Sequence, residues 1–240
     1  MELFVSDLHL DAGSPAANRQ FLQFLQHQAT GATALYILGD LFEAWIGDDD
    51  PDPAAAEVCT GLKALTDAGV ACFALHGNRD FLLGADFSLR TGVRLLPDPV
   101  VADLGDEQVL LTHGDALCVD DHAYQELRST VRGGDWQRRF LALPRQTRAQ
   151  LAGAARRGSR AHTARTIPYV MDVNPVAVEA AYRATCVRRI IHGHTHRPGT
   201  HDGTLDGEPV QRIVLGAWYE QGSYLVRDSG RYELRTLVRE

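Results

Sequence analysis

The chain has 240 residues, of which 45% are hydrophobic, and a net charge of −7. This length suits one large domain or one domain with an insertion. Every apolar stretch is shorter than the ~20 residues that cross a bilayer, which argues against a membrane-spanning chain. A predicted strand begins directly at the N-terminus, so we expect no signal peptide. The four cysteines are scattered without a CxxC pair, and we expect reduced thiols in a cytoplasmic protein.

Five short apolar runs each end at potential metal ligands, and this recurrence is the strongest signal in the chain. The runs cover residues 3–6, 34–38, 70–75, 109–112 and 187–191. Short runs that are rich in β-branched residues and stop at glycine indicate buried strands. In layered α/β proteins, ligands bind outside the carboxyl ends of the strands. The side chains that these ends deliver are Asp7, His9, Asp40, Asn78, His113, His194 and His196.

Seven nitrogen and oxygen donors at one rim are enough for two divalent cations about 3.5–4 Å apart, as in hydrolases that act on phosphoryl groups. Each motif alone is weak, because Asp and Gly mark turns in any protein. We expect His76 and His192, also at strand ends, to point away from the ions. The acidic run 48–50 lacks the spacing of a calcium loop, and we interpret it as a solvated loop.

Three predicted helices begin with a capping residue followed by proline. The capping residues are Ser14, Asp52 and Asn174. The alternation of strands and helices predicts a layered α/β fold. Further strands are expected near 99–104 and 107–112, and others between 212 and 237. This pattern favours a mixed, two-sheet sandwich flanked by helices over a purely parallel sheet.

Residues 121–170 are predicted to form an inserted helical cap, with residues 1–120 and 171–240 as the core. Residues 122–170 contain ten arginines against one aspartate and one glutamate, so an acidic body carries a basic insert. Apolar residues recur between 124 and 143. A basic segment beside a metal site suggests contact with an anionic substrate or membrane surface. A solvated helical face, or a domain that only adds stability, is the alternative.

The ordered motifs resemble those of the calcineurin-like metallophosphoesterase superfamily over nearly the whole chain. Longer stretches are similar to one member family, the UDP-2,3-diacylglucosamine hydrolases (pyrophosphatases) of lipid A biosynthesis. These stretches lie at residues 4–10, 38–49, 76–82, 171–174, 191–198 and 215–218. Enzymes of many specificities share the superfamily motifs, whereas GDLFEAWIGDD, MDVN and the basic insert are more selective.

The resemblance implies a calcineurin-like two-sheet sandwich with two Mn²⁺ per chain. It assigns Asp7, His9 and His196 to one ion, Asn78, His113 and His194 to the other, and Asp40 to a bridge between them. It implies that water attacks the α-phosphorus of UDP-2,3-diacylglucosamine and breaks the pyrophosphate bond. The products would be UMP and 2,3-diacylglucosamine 1-phosphate (lipid X). Arg79 would be the catalytic cation beside the metal ligands.

The resemblance also implies substrate-binding residues. They are Asn78, Arg79, Asp121, Ser159 and His194. The family's asparagine and lysine contacts in the cap fall on Thr163 and Thr166, a departure for which Arg160 or Arg165 is the candidate replacement cation. The substrate implies a peripheral protein on the cytoplasmic side of the bacterial inner membrane, and no nucleic acid partner is expected.

Two other functions fit the same motifs. One is a metallophosphoesterase that acts on another nucleotide pyrophosphate or phosphodiester, against which the apolar content of the cap argues. The other is a scaffold that has lost its chemistry, against which the complete set of seven ligands argues.

Overall fold

The structure, a computed structural model, describes residues 1–50, 52–163, 170–219 and 221–237, and only the backbone of residues 160–163. The strands in this part are β1 (Glu2–Val5), β2 (Ala34–Ile37), β3 (Ala71–Ala74), β4 (Arg94–Leu95), β5 (Val100–Asp103), β6 (Gln108–Thr112), β7 (Arg189–His192), β8 (Gly199–Leu205), β9 (Glu208–Val214), β10 (Gly222–Asp228) and β11 (Arg231–Leu237). The helices are α1 (Pro15–His27), α2 (Pro53–Asp67), α3 (Ala85–Thr91), α4 (His122–Val131), α5 (Gly134–Leu141), α6 (Arg145–Thr163) and α7 (Pro175–Thr185).

The strands form two mixed sheets. The first has the order β11-β10-β1-β2-β3-β4 and the second the order β5-β6-β7-β9-β8. Strands β1 to β4 are parallel, as are β6, β7 and β9. Antiparallel strands complete the sheets, with β10 and β11 beside β1, β5 beside β6 and β8 beside β9. The predicted mixed, two-sheet α/β sandwich is therefore confirmed.

The two faces of the first sheet bury different cores because side chains alternate along a strand. Leu3 and Val5 face the helices α1 to α3, where Phe21 and Phe24 pack against them. Phe4 faces the second sheet, in a core that includes Leu111 and Ile191. On the far side of the second sheet, α7 packs against β7. The body thus has four layers, with the carboxyl ends of both sets of parallel strands along one rim.

Helices α4 to α6 lie between β6 and α7 in the chain. Phe140 of α5 is buried in the core on the helical side of the first sheet, and Trp136 packs against it. Several other large apolar side chains of this segment are exposed. Leu127, Leu141 and Leu151 lie on the helices, and Leu143 lies in the turn between α5 and α6. In the described part of the chain, none of the helices is both long and apolar enough to cross a bilayer.

Two strands were not predicted. Strand β4 has only two residues, too few for a recognisable pattern. Strand β8 lies at a sheet edge with mostly exposed residues, so it lacks the apolar alternation that marks a half-buried strand. All four cysteines are free of disulfide bonds in the structure, and their reduced state stays a prediction.

The three helix starts are correct, but the capping interactions differ. The Asn174 side chain accepts hydrogen bonds from the backbone N–H groups of Val176 and Ala177. Asp52 accepts one from Ala54 N at 3.0 Å. Ser14 occupies the capping position of α1, yet its side chain makes no capping hydrogen bond. Only two of the three predicted caps therefore satisfy backbone donors with their side chains.

We expect Asp52→Ala to lower the free energy of unfolding by about 1 kcal/mol, because Ala54 N loses its acceptor. Ser14→Ala is the matched control, since no capping bond is removed, and its unfolding free energy should stay close to that of the unmodified chain. Denaturant unfolding of both variants measures the difference. An equal loss in the two variants would contradict the assignment.

Candidate metal centre

The seven predicted ligands lie in loops that follow β1, β2, β3, β6 and β7, and they converge at the rim shared by both sheets. Eight non-glycine residues of the described chain have positive φ angles. Five of them are predicted ligands, with φ between 50° and 65°: Asp7, His9, Asp40, His194 and His196. This left-handed backbone costs roughly 1–2 kcal/mol per residue. Such strain is concentrated at functional sites.

The first group of donors joins Asp7, His9 and His196. The Nε2 atom of His196 lies 3.3 Å from Asp7 Oδ1 and 3.3 Å from His9 Nε2. One ligand atom from each of the three lies within 4.8 Å of the others. Two imidazole nitrogens and one carboxylate oxygen at this separation can hold a single divalent ion.

The second group centres on Asn78, whose Oδ1 lies 2.9 Å from His113 Nε2 and 3.0 Å from His194 Nδ1. Asp40 lies between the two groups. Its Oδ2 is 3.8 Å from His9 Nε2, and its Oδ1 is 3.8 Å from His113 Nε2.

Asp7 is also close to both groups, since its ligand atom lies within 4.8 Å of those of Asp40 and His113. Its other oxygen, Oδ2, already accepts hydrogen bonds from Ser6 Oγ at 2.5 Å and His194 N at 2.9 Å. Asp40 directs one oxygen to each group. Asp40 is therefore the better candidate for the bridge, which stays a prediction.

The cluster fits divalent cations by chemistry as well as by distance. Asp7 Oδ1 is buried without a hydrogen-bond partner, a cost that a bound cation would remove. Burial opposes protonation of His113, but the negative charges of Asp40 and Asp7 raise its pKa to about 9, which shows how strongly the cluster favours positive charge. Burial and the neighbouring His113 lower the pKa of His194 to about 3, so this ring is neutral. Imidazole and carboxylate donors suit several first-row divalent metals.

Two histidines are oriented by contacts on the side away from the cluster. The Nδ1–H of His113 donates to Leu38 O at 2.9 Å, which leaves Nε2 as a ligand. The Nδ1 atom of His9 lies 3.1 Å from Glu43 Oε2, and Arg156 Nη2 lies 2.7 Å from Glu43 Oε1. Burial would raise the pKa of Glu43, but the interaction with His9 and the nearby arginine charges lower it to about 2. Glu43 is thus a carboxylate that holds His9 in the ligand orientation.

A buried carboxylate connects the two loops that carry Asp40 and Asn78. Asp80 accepts hydrogen bonds from Gly77 N and Leu41 N, both at 2.8 Å, and from Asp40 N at 3.3 Å. The close approach of the loops requires glycine. A Cβ atom at Gly77 would lie 2.1 Å from Asp40 Oδ1. The requirement at this position is space for the neighbouring loop, because Gly77 is not among the residues with positive φ.

The insert contacts both halves of the cluster. Tyr124 of α4 stacks on His194 with 5.9 Å between ring centroids, and its hydroxyl donates to Asp115 Oδ2 at 2.5 Å. Arg128 Nε donates to the same oxygen at 2.8 Å. From α6, Arg156 reaches Glu43 behind His9. Helix α4 therefore touches one group of predicted ligands, and α6 supports the other.

Our interpretation of the acidic run as a solvated loop is only partly right, because the Asp49 side chain is 59% exposed but Asp48 and Asp49 both have structural contacts. Asp48 accepts hydrogen bonds from Trp45 Nε1 and from the backbone N–H groups at the start of α3. Asp49 forms a two-pronged pair with Arg148, whose side chain is only 3% exposed. The run is structural because it caps one helix and anchors another. The arginines of α4 and α6 described above likewise bind acidic groups of the body. Neither the expected contact with an anionic substrate or membrane nor the alternative of a solvated helical face included this pairing.

Two cavities open from the cluster. One, of about 710 Å³, contains His9, His194 and His196 in its wall together with Asp121 and Ser159. The other, of about 650 Å³, lies under the insert, and most of its lining is apolar. Its apolar residues include Phe81, Leu82, Leu127, Val131, Trp136, Phe140, Leu143 and Leu151. Six residues line both cavities: Glu43, Asn78, Arg79, Tyr124, Arg156 and Ser159.

Five of the seven predicted substrate-binding residues line the first cavity: Asn78, Arg79, Asp121, Ser159 and His194. The other two, Thr163 and Thr166, cannot be placed. Asp121 lines the first cavity and also caps α4 by accepting from Tyr124 N at 3.1 Å. Thr166 and Arg165 lie outside the described residues, as do the side chains of Arg160 and Thr163. The expected supporting roles of His76 and His192 agree with their contacts to Leu83 O at 2.8 Å and Gly193 O at 2.9 Å.

Sequence reasoning assigned no role to four residues of the site. They are Glu43, Asp80, Tyr124 and Tyr219. Glu43 and Asp80 stand in the quoted motifs, so their position relative to Asp40 and Asn78 was the available signal. Tyr219 directly follows the last motif, and its ring stacks on His9 with 5.0 Å between centroids. Tyr124 had been grouped only with the apolar residues of the insert.

The comparison with known proteins agrees with this geometry. Residues 3–198 match the calcineurin-like phosphoesterase family. The chain belongs to that family. A protein of Stenotrophomonas maltophilia (strain K279a), named UDP-2,3-diacylglucosamine hydrolase, is 50% identical over 245 aligned positions that cover 99% of each chain. A protein of the same name from Enterobacter sp. (strain 638) is 49% identical over 97% of each chain.

A solved structure of this phosphoesterase fold supports the architecture at much lower identity. An archaeal phosphodiesterase superposes on 98% of this chain and 99% of its own, with a TM-score of 0.50 and 13% identity. The likeness shows the fold, and the family assignment rests on the sequence matches.

We expect Glu43→Gln to weaken binding of divalent metal by about 10- to 100-fold, because the neutral amide no longer holds the His9 ring as a charged partner. Calorimetric titration of metal into protein stripped of ions measures the effect. Glu57→Gln, at an exposed position of α2, is the matched control and should bind metal normally. If the metal affinity of the Glu43 variant is unchanged, Glu43 does not support metal binding.

Proposed function

We propose that the chain hydrolyses the pyrophosphate bond of UDP-2,3-diacylglucosamine, with water attacking the α-phosphorus. The products are UMP and 2,3-diacylglucosamine 1-phosphate (lipid X). The observation that carries this proposal is the apolar cavity of about 650 Å³ that joins the metal-ligand cluster at Asn78 and Arg79. A substrate with two acyl chains on one side of a diphosphate needs apolar walls on that side. The name shared by relatives at about 50% identity supports the same substrate.

The residues divide the work at the junction. Two divalent cations, when bound, would lower the pKa of the attacking water and neutralise charge on the phosphoryl oxygens. We assign the first ion to Asp7, His9 and His196, the second to Asn78, His113 and His194, and the bridge to Asp40. We propose Mn²⁺ for both because the family resemblance implies it, and the carboxylate and amide oxygens of the set suit this metal.

Arg79 is the residue that we assign to the phosphoryl charge. It lines both cavities, and its Nε is buried without a hydrogen-bond partner, so this donor can bind a phosphate oxygen. Planar guanidinium groups bind phosphate through two donors. The backbone N–H of Arg79 also donates to Asp40 Oδ1 at 2.8 Å. This hydrogen bond links the position of the Arg79 residue to that of Asp40, the proposed bridging ligand.

The insert would act as a cap over the acyl chains, with residues 1–120 and 171–240 as the catalytic core. Val131, Leu143 and Leu151 line the apolar cavity from three parts of the insert. A phosphoesterase for a small soluble nucleotide has no use for such a cavity, so the lipid substrate is favoured over that alternative. Ser159 and Asp121 face the other cavity near the junction and are the proposed contacts to the sugar.

The main test is a metal-dependent assay on UDP-2,3-diacylglucosamine beside nucleotide controls. We expect release of UMP from the lipid substrate and far slower hydrolysis of UDP-glucose and cyclic nucleotides. Asp40→Ala should lose both metal and activity, while Arg79→Ala should keep its metal and lose kcat/KM as transition-state stabilisation. Equal turnover of the soluble nucleotides would overturn the lipid assignment. If the Arg79 variant loses its metal, we would conclude that Arg79 positions the neighbouring ligand Asn78 and does not act on the phosphoryl group.

We expect Val131→Trp to reduce turnover of long-chain substrates more than that of short-chain ones, because the added indole fills the apolar cavity. An acyl chain gains about 0.8 kcal/mol per buried CH₂, so chain length is a sensitive measure. Ala142→Phe adds a comparable ring at an exposed position outside the cavity and is the matched control. A folded Val131 variant that treats both substrates like the unmodified chain would show that the cavity does not hold acyl chains.

We further propose that the protein binds the cytoplasmic face of the inner membrane as a peripheral protein. Support comes from the lipid substrate and from exposed side chains of the insert, which include Arg138, Arg139 and Arg157 together with its exposed leucines. Each basic residue at an anionic surface contributes roughly 1 kcal/mol, and salt weakens the attraction. Pelleting with vesicles that contain phosphatidylglycerol should show binding at low ionic strength that falls as salt is added. Absence of binding at low ionic strength would rule out this attachment.

A further inference from the structure

The nucleotide half of the substrate also needs a binding site, and the position of the two cavities indicates where it lies. This step rests on the proposed function. The cavities share Asn78 and Arg79, so a phosphoanhydride held there has its two halves on opposite sides of the junction. The apolar cavity suits the acyl chains. The polar cavity of about 710 Å³ is then left for the nucleoside.

One aromatic side chain stands in the wall of that polar cavity. Tyr219 stacks against His9 with 5.0 Å between ring centroids and 6° between the ring planes. The edge of the ring also meets His196, at 5.4 Å and 63°. Even with these contacts, Tyr219 is 54% exposed. An aromatic ring with an open surface in a nucleotide cavity is the usual surface on which a base stacks.

The ring is held in place by its neighbour in the chain. Trp218 is completely buried, its backbone N–H donates to Asp7 O at 3.0 Å, and its indole N–H donates to Ser223 O at 2.9 Å. Tyr219 follows directly, and His9 lies against its ring. A ring that is already ordered loses little conformational freedom when a ligand stacks on it.

Polar groups that could bind a base or a ribose lie in the same wall. They include Ser14, Thr195 and Arg197. The Ser14 side chain makes no capping hydrogen bond with α1. Arg197 forms an ion pair with Asp172, which is next in the chain to Met171, another residue of the cavity wall. Hydroxyl groups both donate and accept hydrogen bonds, which suits the carbonyl groups of a pyrimidine and the hydroxyls of ribose.

We propose that Tyr219 is the stacking surface for the pyrimidine base of the nucleotide half, and that the polar cavity around it is a uridine site. The site around Tyr219 is distinct from the apolar cavity, so the base and the acyl chains contact different residues. Because the base lies away from the reacting phosphorus, its stacking energy is present equally in the ground state and the transition state. Loss of the ring should therefore raise KM and leave kcat largely intact.

The experiment titrates two ligands, UMP and 2,3-diacylglucosamine 1-phosphate, into metal-loaded protein. Tyr219→Ala should weaken UMP binding by about 5- to 150-fold, the range for loss of one base–aromatic stack. Its affinity for the lipid product and its metal content should stay at the level of the unmodified chain. Tyr219→Phe keeps the ring and should restore UMP binding. Val131→Trp should show the opposite pattern, with the lipid product weakened and UMP unaffected.

Two results would overturn the inference. If Tyr219→Ala binds UMP as well as the unmodified chain, the base lies elsewhere. If it loses metal and both ligands together, the ring only packs against His9 and His196. The proposed function is tested separately by hydrolysis in the unmodified chain. If the unmodified chain hydrolyses the substrate but the variant gives the first or second result, the uridine site alone is refuted. If UMP binding depends on Tyr219 but the lipid substrate is not hydrolysed, the lipid assignment alone is refuted.

Discussion

The site depends on one constraint, which is that the loops at the shared rim must bring their backbones almost into contact, both within the first sheet and between the two sheets. Gly77 lies so close to the Asp40 loop that a Cβ atom would meet the carboxylate, and Gly193 lies equally close to Asp7. Five of the seven predicted ligands adopt left-handed backbone conformations that most side chains avoid. The hydrogen bonds of Asp80 and the buried core of the sandwich offset this cost. The ligands converge because the surrounding fold holds the loops in conformations that they would not adopt alone.

The insert is joined to the body by charged and polar contacts as well as by the buried ring of Phe140. Arg128 binds Asp115, Arg148 binds Asp49, and Arg156 binds Glu43. The last of these contacts reaches a predicted ligand through one intervening carboxylate. The basic charge of the insert thus has a structural use, and Arg128 and Arg156 also border the apolar cavity proposed for the substrate. The net charge of the segment alone could not separate these two uses, because an ion pair with the body and an open patch have the same composition.

Local patterns predicted much of the fold. The runs that became β1, β2, β3, β6 and β7 are short and largely apolar, and all but the first are followed within two residues by glycine. Each was placed within about two residues of its position in the structure. The proline that follows Ser14, Asp52 and Asn174 marked all three helix starts, but it did not show which of these side chains would form a capping hydrogen bond. The exposed edge strand β8 lacked any such pattern. Our error at residues 48–50 has the same physical origin, since acidic residues in a loop look alike whether they face water or a helix start.

The site was predictable to the extent that strand ends reveal it. All seven ligands follow strands, and the structure brings them together, although their metal roles are still a proposal. Glu43, Tyr124 and Tyr219 act through contacts between segments that are far apart in the chain, such as Tyr219 on His9. Spacing within one motif contains no information about such contacts. The family resemblance was needed to connect the motifs to a substrate.

The place of β1 in the first sheet has a consequence for how the chain is made. Strand β1 comes earlier in the chain than the other described strands, yet it pairs with β2 on one side and with β10, residues 222–228, on the other. The predicted ligand set likewise extends from residue 7 to residue 196. Residues as far as β10 must therefore be synthesised before β1 has both neighbours, and residues as far as 196 before the cluster has all its donors. Bound ions stabilise only the state that contains the full cluster, so metal uptake would mark the end of folding of this chain rather than direct its early steps.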